Sequence, residues 1–297
     1  ADGQVVGVGK PEVVEKQLGL RAGVVEDEGG PVAGDLVQDG GDGVSMTGSC
    51  ENATLDWVAL YNNKGHGYSL TDCRNVLITN VASLGRLHRN LQDCLSNEGC
   101  GVYLNNCDTI YLGASGGLNS GLRIANNKKK GIWIQGEKTG LIAIQGNTIQ
   151  SNMEGGIQAE AGKPVAIGGF GPSQGNFLSQ NREFNIWASG SDTRVQILSN
   201  QLEFKDPTQK IFVGANTGIL LSGGIHDARI DSNEIYNHKQ NGIAIREGSR
   251  DNAVQGNKIQ YNAQNGILVQ GADSLRNNLT RNLITGNLLK GIRLDGG

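Results

Sequence analysis

Gly41-Asp42-Gly43-Val44 is followed 24 residues later by Gly65-His66-Gly67-Tyr68. If the two segments occupy equivalent turns of a repeat, carboxylate and imidazole stand ~5 Å apart, one strand spacing. A carboxylate at that distance favours the imidazolium, raises its pKa and lets it pass protons near neutral pH. The loop SLGRLHRNLQDCLSNEG then adds Arg86, His88, Arg89 and Asp93, and Lys128-Lys129-Lys130 follows. Basic groups and two of the four histidines thus gather in one part of a chain whose net charge is −3. Such a set suits carbanion chemistry on an acidic substrate. A proton leaves the carbon beside a carboxylate only when the growing charge on that carboxylate is neutralised. The candidate catalytic residues are therefore Asp42, His66, Arg86, His88 and Arg89. His66 or His88 would take the proton, with Asp42 orienting or charging His66. Arg86, Arg89 or the three lysines would neutralise the substrate. The bland alternative is an ordinary polar turn beside a solvated basic loop.

What would position these residues is a repeat. From Asn216 onward three copies of one pattern stand in a row, opening at Gly218, Gly242 and Gly266, with Gly291 opening a fourth; the periods are 24, 24 and 25 residues. Periods in this range mark solenoids. Each copy opens with Gly-Ile-x-aliphatic, turns on Gly or Ser, runs a second strand ending in Asn-x-Ile/Leu, and closes on a third polar turn with another Asn. The apolar positions alternate in short runs bounded by Gly, Asn, Asp and Ser, which reads as strands and turns and not as helices. No single copy can bury its own apolar side, so the copies stack. The expectation is an all-β, single-stranded parallel β-helix of about ten coils. The openings run Gly43, Gly67, Gly101, Gly131, Gly156, Asn185, Gly218, Gly242, Gly266 and Gly291. Asn147, Asn176, Asn200, Asn233, Asn257 and Asn282 recur at one place, as residues that tolerate left-handed turns and that stack as a hydrogen-bonded ladder. Insertions near 83–99, 113–130 and 204–217 are expected at one corner and a fourth, near 161–175, at another, marking a functional face between Gly43 and Asn216.

In each first strand the residue between the two aliphatics points outward. Coil by coil these are Ser45, Ser69, Tyr103, Trp133, Gln158, Trp187, Leu220, Ala244, Leu268 and Arg293. Trp133 and Trp187 would lie ~10 Å apart on one sheet, and flat aromatic faces stack on the C–H faces of sugar rings. The next outward row holds Asn105, Gln135, Glu160 and Ser189, amides and hydroxyls suited to sugar hydroxyls, with Glu160 its only central carboxylate. Tyr103, Trp133, Gln135, Glu160, Trp187 and Lys130 are the candidate substrate-binding residues. A hydrolase would need two facing carboxylates; Asp72, Asp93 and Glu160 are candidates without a forced pair.

Composition bounds the rest. Of 297 residues 46 are glycine and only 5% aromatic, as narrow coils with tight turns require. The slightly acidic balance gives no footprint for nucleic acid, and no run is long enough to span a membrane. Five cysteines form no metal-finger spacing; Cys50, Cys73 and Cys107 read as stacked free thiols at one turn, and Cys94 and Cys100 are close enough in sequence to pair. No metal site is expected and no cofactor is required; calcium is compatible but has no motif. Residues 1–41 are expected to form an irregular cap with degenerate coils and one short helix over 12–20, and residues 42–297 the β-helix.

The repeat from Gly131 onward resembles the right-handed parallel β-helices of the pectin-lyase-like superfamily. That superfamily includes polysaccharide lyases, polygalacturonases, mannuronan C5-epimerases, phage tailspikes and non-catalytic surface proteins. Asp42-Gly43-Val44 and His66-Gly67-Tyr68 are similar to the Asp-Gly-Phe and His-Gly-Phe coil openings of the C5-epimerases, and Asp42 matches their catalytic aspartate. That family's Asp-Pro-His-Glu motif has no counterpart one coil earlier. The resemblance implies an extracellular, periplasmic or virion-surface protein that binds an acidic polysaccharide and cleaves or epimerises it. A hydrolase of tailspike type or a non-catalytic receptor-binding or structural spike is the alternative.

Overall fold

The computed structural model describes residues 36–37, 41–48, 50–56, 58–79, 93–113, 121–137, 140–162, 164–171, 173–204 and 214–296. The expected cap helix over 12–20 lies outside the described residues. The described residues form a parallel β-helix of three sheets, two of ten strands and one of nine. Sheet I holds the coil openings, among them Val44–Thr47, Tyr68–Thr71, Val102–Asn105, Lys130–Gly136, Gly155–Ala161 and Phe184–Ser189, and runs on to Ile292–Asp295. Sheet II runs from Glu51–Asp56 to Asn278–Thr280, and sheet III from Leu36–Val37 to Leu283–Thr285. Leu36–Val37 pairs in parallel with Ala59–Leu60, so the array begins before residue 42.

Alternation along sheet I sets what faces inward. Val102, Ile132, Ile157, Ile186, Ile219, Ile243 and Ile267 stand in direct register, each fully buried. This column and its neighbours from sheets II and III form one continuous core.

Three details differ from the sequence expectation. Each coil has three strands where two and a polar turn were expected: Ala253–Gln255 and Lys258–Gln260 are separate strands on sheets II and III, divided by Gly256-Asn257. The Asn-x-Ile signature is thus a corner and not a strand end. The left-handed residue at that corner is the one before the asparagine. Gly146, Ser199, Ser232, Gly256 and Arg281 have φ of 67°, 54°, 58°, 65° and 56°, and the asparagine that follows each is free to turn its amide along the stack. The insertions also sort differently. Those after Arg74–Thr79, Asp108–Gly113 and Pro164–Gly168 lie between sheets II and III, whereas that after Gln201–Leu202 lies between sheets III and I.

The asparagine ladder is present as expected. Asn147 donates through Nδ2 to Asn176 Oδ1 at 3.0 Å, and the chain continues through Asn200, Asn233, Asn257 and Asn282 at 2.9–3.0 Å. Each Oδ1 also takes the preceding asparagine's backbone N–H, so one side chain satisfies two donors of a corner that has no strand partner. A second ladder, Asn63–Asn97–Asn127–Asn152–Asn181, runs up the corner between sheets III and I at 2.8–2.9 Å. All five cysteines are free, including Cys94 and Cys100. Cys73 bonds to the carbonyls of Met46 and Thr71, and Cys107 to those of Leu70 and Asn105.

Candidate functional site

The residue just before each coil opening sits at the turn entering sheet I, and the stack brings Asp42, His66 and Cys100 together there. Asp42 Oδ1 accepts the backbone N–H of His66 at 2.7 Å, and His66 Nδ1 accepts the backbone N–H of Cys100 at 2.9 Å. Each side chain therefore fastens the next coil. Asn241 does the same for Asn265 among the regular C-terminal coils, accepting its N–H at 3.3 Å. The expected pair exists, but the carboxylate meets the backbone of His66. With Nδ1 accepting, the ring proton belongs on Nε2. The expected rise in the pKa of His66 is reversed: burial lowers it, outweighing the opposing pull of Asp42, and Lys129 lowers it further.

Beyond this corner the register of sheet I aligns Ser45, Ser69, Tyr103, Trp133, Gln158, Trp187, Leu220, Ala244, Leu268 and Arg293 in one outward row. The rings pack along the axis. His66 stacks on Tyr103 with centroids 4.8 Å apart and planes 15° apart, and Tyr103 meets Trp133 at 5.2 Å and 52°. Lys130 Nζ lies over the Trp133 ring at 4.6 Å. His66 thus covers a face of Tyr103 and an ammonium group a face of Trp133, where the sequence expects them open for sugar stacking, and Trp187 meets Phe184 edge-on with centroids 5.4 Å apart. Gln158 is a further departure: standing between Trp133 and Trp187, it is only 4% exposed, and its Oε1 has no donor among the described residues.

The adjacent polar row is held in place by these rings. Gln135 Nε2 donates to the Tyr103 hydroxyl, and Trp133 Nε1 donates to Glu160 Oε2 at 3.1 Å. Ser189 Oγ approaches Glu160 Oε1 at 3.5 Å, and Trp187 Nε1 donates to Ser222 Oγ at 2.8 Å. Tyr103, Trp133, Gln135, Glu160 and Trp187 therefore share one face, with Lys130 at its margin. No ion pair to Glu160 occurs among the described residues.

The lysine run is less positive than its sequence suggests. Lys128 pairs with Glu98 at 2.6 Å and Lys130 with Glu154 at 2.7 Å, leaving Lys129 without an ion pair among the described residues. Arg86, His88 and Arg89 lie outside the described residues, as does the side chain of Asp93. Asp72 accepts Asn106 Nδ2 at 2.6 Å. No group of three or more His, Cys, Asp or Glu among the described residues is arranged to hold a metal ion. No described helix is long and apolar enough to cross a membrane.

Sequence reasoning missed one buried polar cluster. Where the second ladder reaches the insertion after Gln201–Leu202, Asn181 Nδ2 donates to Asn185 Oδ1 at 2.9 Å, and Asn185 Nδ2 reaches Glu203 Oε1 and His238 Nε2, each at 3.0 Å. His238 Nδ1 pairs with Asn262 Oδ1 at 2.9 Å, so the ring bridges the ladder where other coils carry asparagine. Both residues are buried. Burial raises the pKa of Glu203 and lowers that of His238 to about 4. The readable signal is His238 standing four residues before Gly242, as Asn262 stands before Gly266.

Residues 173–297 match a family model described as the right handed beta helix region. The parallel β-helix is right-handed. Solved structures similar to it include a single and a double mutant of the periplasmic alginate epimerase AlgG, at 16% identity with TM-scores of 0.41 and 0.43. Each similarity covers 88% of this chain and 64% of the epimerase chain. The protein ORF18 of Geobacillus virus E2 is similar at 11% identity, TM-score 0.43, over 93% of this chain and 56% of the viral one. The chain thus spans less than two thirds of the length of each. At these identities the likeness concerns the fold alone. Among curated proteins no relative matches the sequence.

Proposed function

We propose that the right-handed β-helix binds an acidic polysaccharide along the outer face of sheet I, between Asp42 and Trp187. The observation that carries this is the ordered band of aromatic and hydrogen-bonding side chains on a single face. Tyr103 and Trp133 hold Gln135 and Glu160, and each polar group is fixed by a neighbouring coil. Fixed donors and acceptors against an apolar backing recognise hydroxyl-rich rings without paying to order the side chains on binding. Lys129, with Arg86 and Arg89 from the loop outside the described residues, supplies the positive charge for carboxylated units.

Turnover is a second reading, favoured by the phenol of Tyr103 lying between His66 and Trp133 on this same face. A phenolic hydroxyl can pass a proton. His66 would act there in its neutral form as a hydrogen-bond donor through Nε2, with His88 taking the C5 proton and the Tyr103 phenol giving its own proton to the departing glycosidic oxygen or to the opposite face of the carbanion. Departure of the glycosidic oxygen would then give β-elimination, and return of a proton to the opposite face would give epimerisation.

Calorimetric binding to a panel of acidic and neutral polysaccharides tests the first reading, with unsaturated-uronate absorbance, reducing ends and epimer ratio read in parallel for the second. Trp133→Ala is expected to weaken binding at least about tenfold, because it removes the ring that backs Tyr103 and anchors Glu160. Binding unchanged in Trp133→Ala would remove the polysaccharide from this face.

A further inference from the structure

Resting on that reading, we infer that the bound polymer is a heteropolysaccharide: the unit placed at Glu160 is an uncharged sugar, not a uronate. A coil rises ~4.8 Å, close to the advance of one pyranose along an extended chain. A polymer following the helix axis therefore meets the face about one sugar per coil. That face is not uniform in charge. Lys129 stands at the entry to the fourth strand of sheet I, whereas Glu160 lies on the fifth strand, fixed from two sides by neutral donors, Trp133 Nε1 and Ser189 Oγ. No ion pair to it occurs among the described residues. A homopolymer of uronates would bring a carboxylate against Glu160 in any register that fills the face. Two like charges side by side are unfavourable at either ordinary or reduced dielectric.

An uncharged ring reverses the balance. A carboxylate with free lone pairs accepts two neighbouring hydroxyls, and bonds to a charged acceptor are the stronger kind. What such an acceptor lacks is a ligand O–H or N–H, and a second carboxylate supplies neither.

Glu160→Gln separates the possibilities by the sign of its effect. The change preserves shape and keeps an acceptor for Trp133 Nε1, and equal thermal unfolding midpoints verify that the fold is intact. The probes are hyaluronan, which alternates a uronate with an uncharged sugar, and polygalacturonate, a homopolymer of uronates. The full chain is expected to bind hyaluronan more tightly. Glu160→Gln should weaken that binding about tenfold while strengthening the binding of polygalacturonate. Tighter binding of polygalacturonate by the unmodified protein, or a loss for both polymers in Glu160→Gln, would overturn the inference and leave the polysaccharide reading standing. Failure to bind any polymer of the panel would remove that reading and this inference with it.

Discussion

At the scale of single residues the main result is that Asp42 and His66 do mechanical work whatever else they do. Their side chains supply acceptors for backbone N–H groups of the next coil. Removing the acceptor from Cys100 by His66→Ala leaves a buried donor unmet and should cost about 1–3 kcal/mol. Asn241 shows that an amide oxygen can serve in this row, so His66→Asn should recover much of that loss in urea denaturation. Equal destabilisation of the two variants would refute the fastening role. Turnover measured in the stable His66→Asn protein then separates mechanics from chemistry. The sequence made the proximity of Asp42 and His66 legible, because equivalent turns of a solenoid must stack. It did not reveal which atoms meet. That depends on whether a side chain turns toward its neighbour's ring or backbone, and an unpaired corner N–H decides this locally. The same limit applies to Tyr103 and Trp133. Their row was readable, but the closure of their faces on His66 and Lys130 follows from side-chain torsions that spacing does not encode.

At the scale of elements, the corners decide the architecture. The first ladder is legible because Asn recurs before each aliphatic; the second reads in the sequence only as another asparagine in a polar turn, since His238 and Glu203 interrupt it. That interruption has a pH signature. His238 in the fold has its pKa lowered to about 4 from an ordinary 6.5, so the unfolded chain binds the proton more readily. Stability is complete above about pH 6.5 and declines as pH falls toward 4, by about 3 kcal/mol in total. Glu203, whose pKa is raised by burial, contributes with the opposite sign, gaining stability as it takes up its proton. His238→Asn replaces the ring by the residue found in the neighbouring coils and should flatten the decline between pH 6.5 and 4. Thermal midpoints across this range check it, and parallel curves for the two proteins would contradict the assignment. The insertions fall at other corners than the sequence suggests for a related reason. A two-residue corner such as Gly256-Asn257 leaves no gap in the hydrophobic pattern, so two strands read as one and a loop beyond them moved to the wrong corner.

At the scale of the molecule, each coil depends on its neighbours for a covered core. Ile243 and Ile267 lie in the central column, fully buried. Ile243→Ala or Ile267→Ala should lower stability by ~2–5 kcal/mol, since a narrow core has little freedom to collapse around a cavity. Gln135→Ala, on the outer face, is the suitable control, and equal denaturation midpoints for control and core variants would contradict the inside–outside assignment. Gln158, which alternation alone offers as an exposed control, is buried by its setting between two tryptophans. The fold was readable because inward positions repeat with a strict period and any error repeats visibly. Function was less so, because binding surfaces arise from departures from the repeat.

The stacked asparagines also bear on how the protein ages. Asn241-Gly242 and Asn265-Gly266 are the kind of bond at which an asparagine side chain is attacked by the following backbone nitrogen and slowly turns into aspartate or isoaspartate. Both asparagines are buried, and the nitrogens that would attack are held elsewhere, Gly242 N–H on Asn265 O at 3.0 Å and Gly266 N–H on Lys290 O at 2.8 Å. Chemical decay at these bonds is therefore gated by opening of the coils. A charge introduced there in a moment of unfolding would return to a buried corner built for a neutral amide, so each such lesion would make the next opening easier.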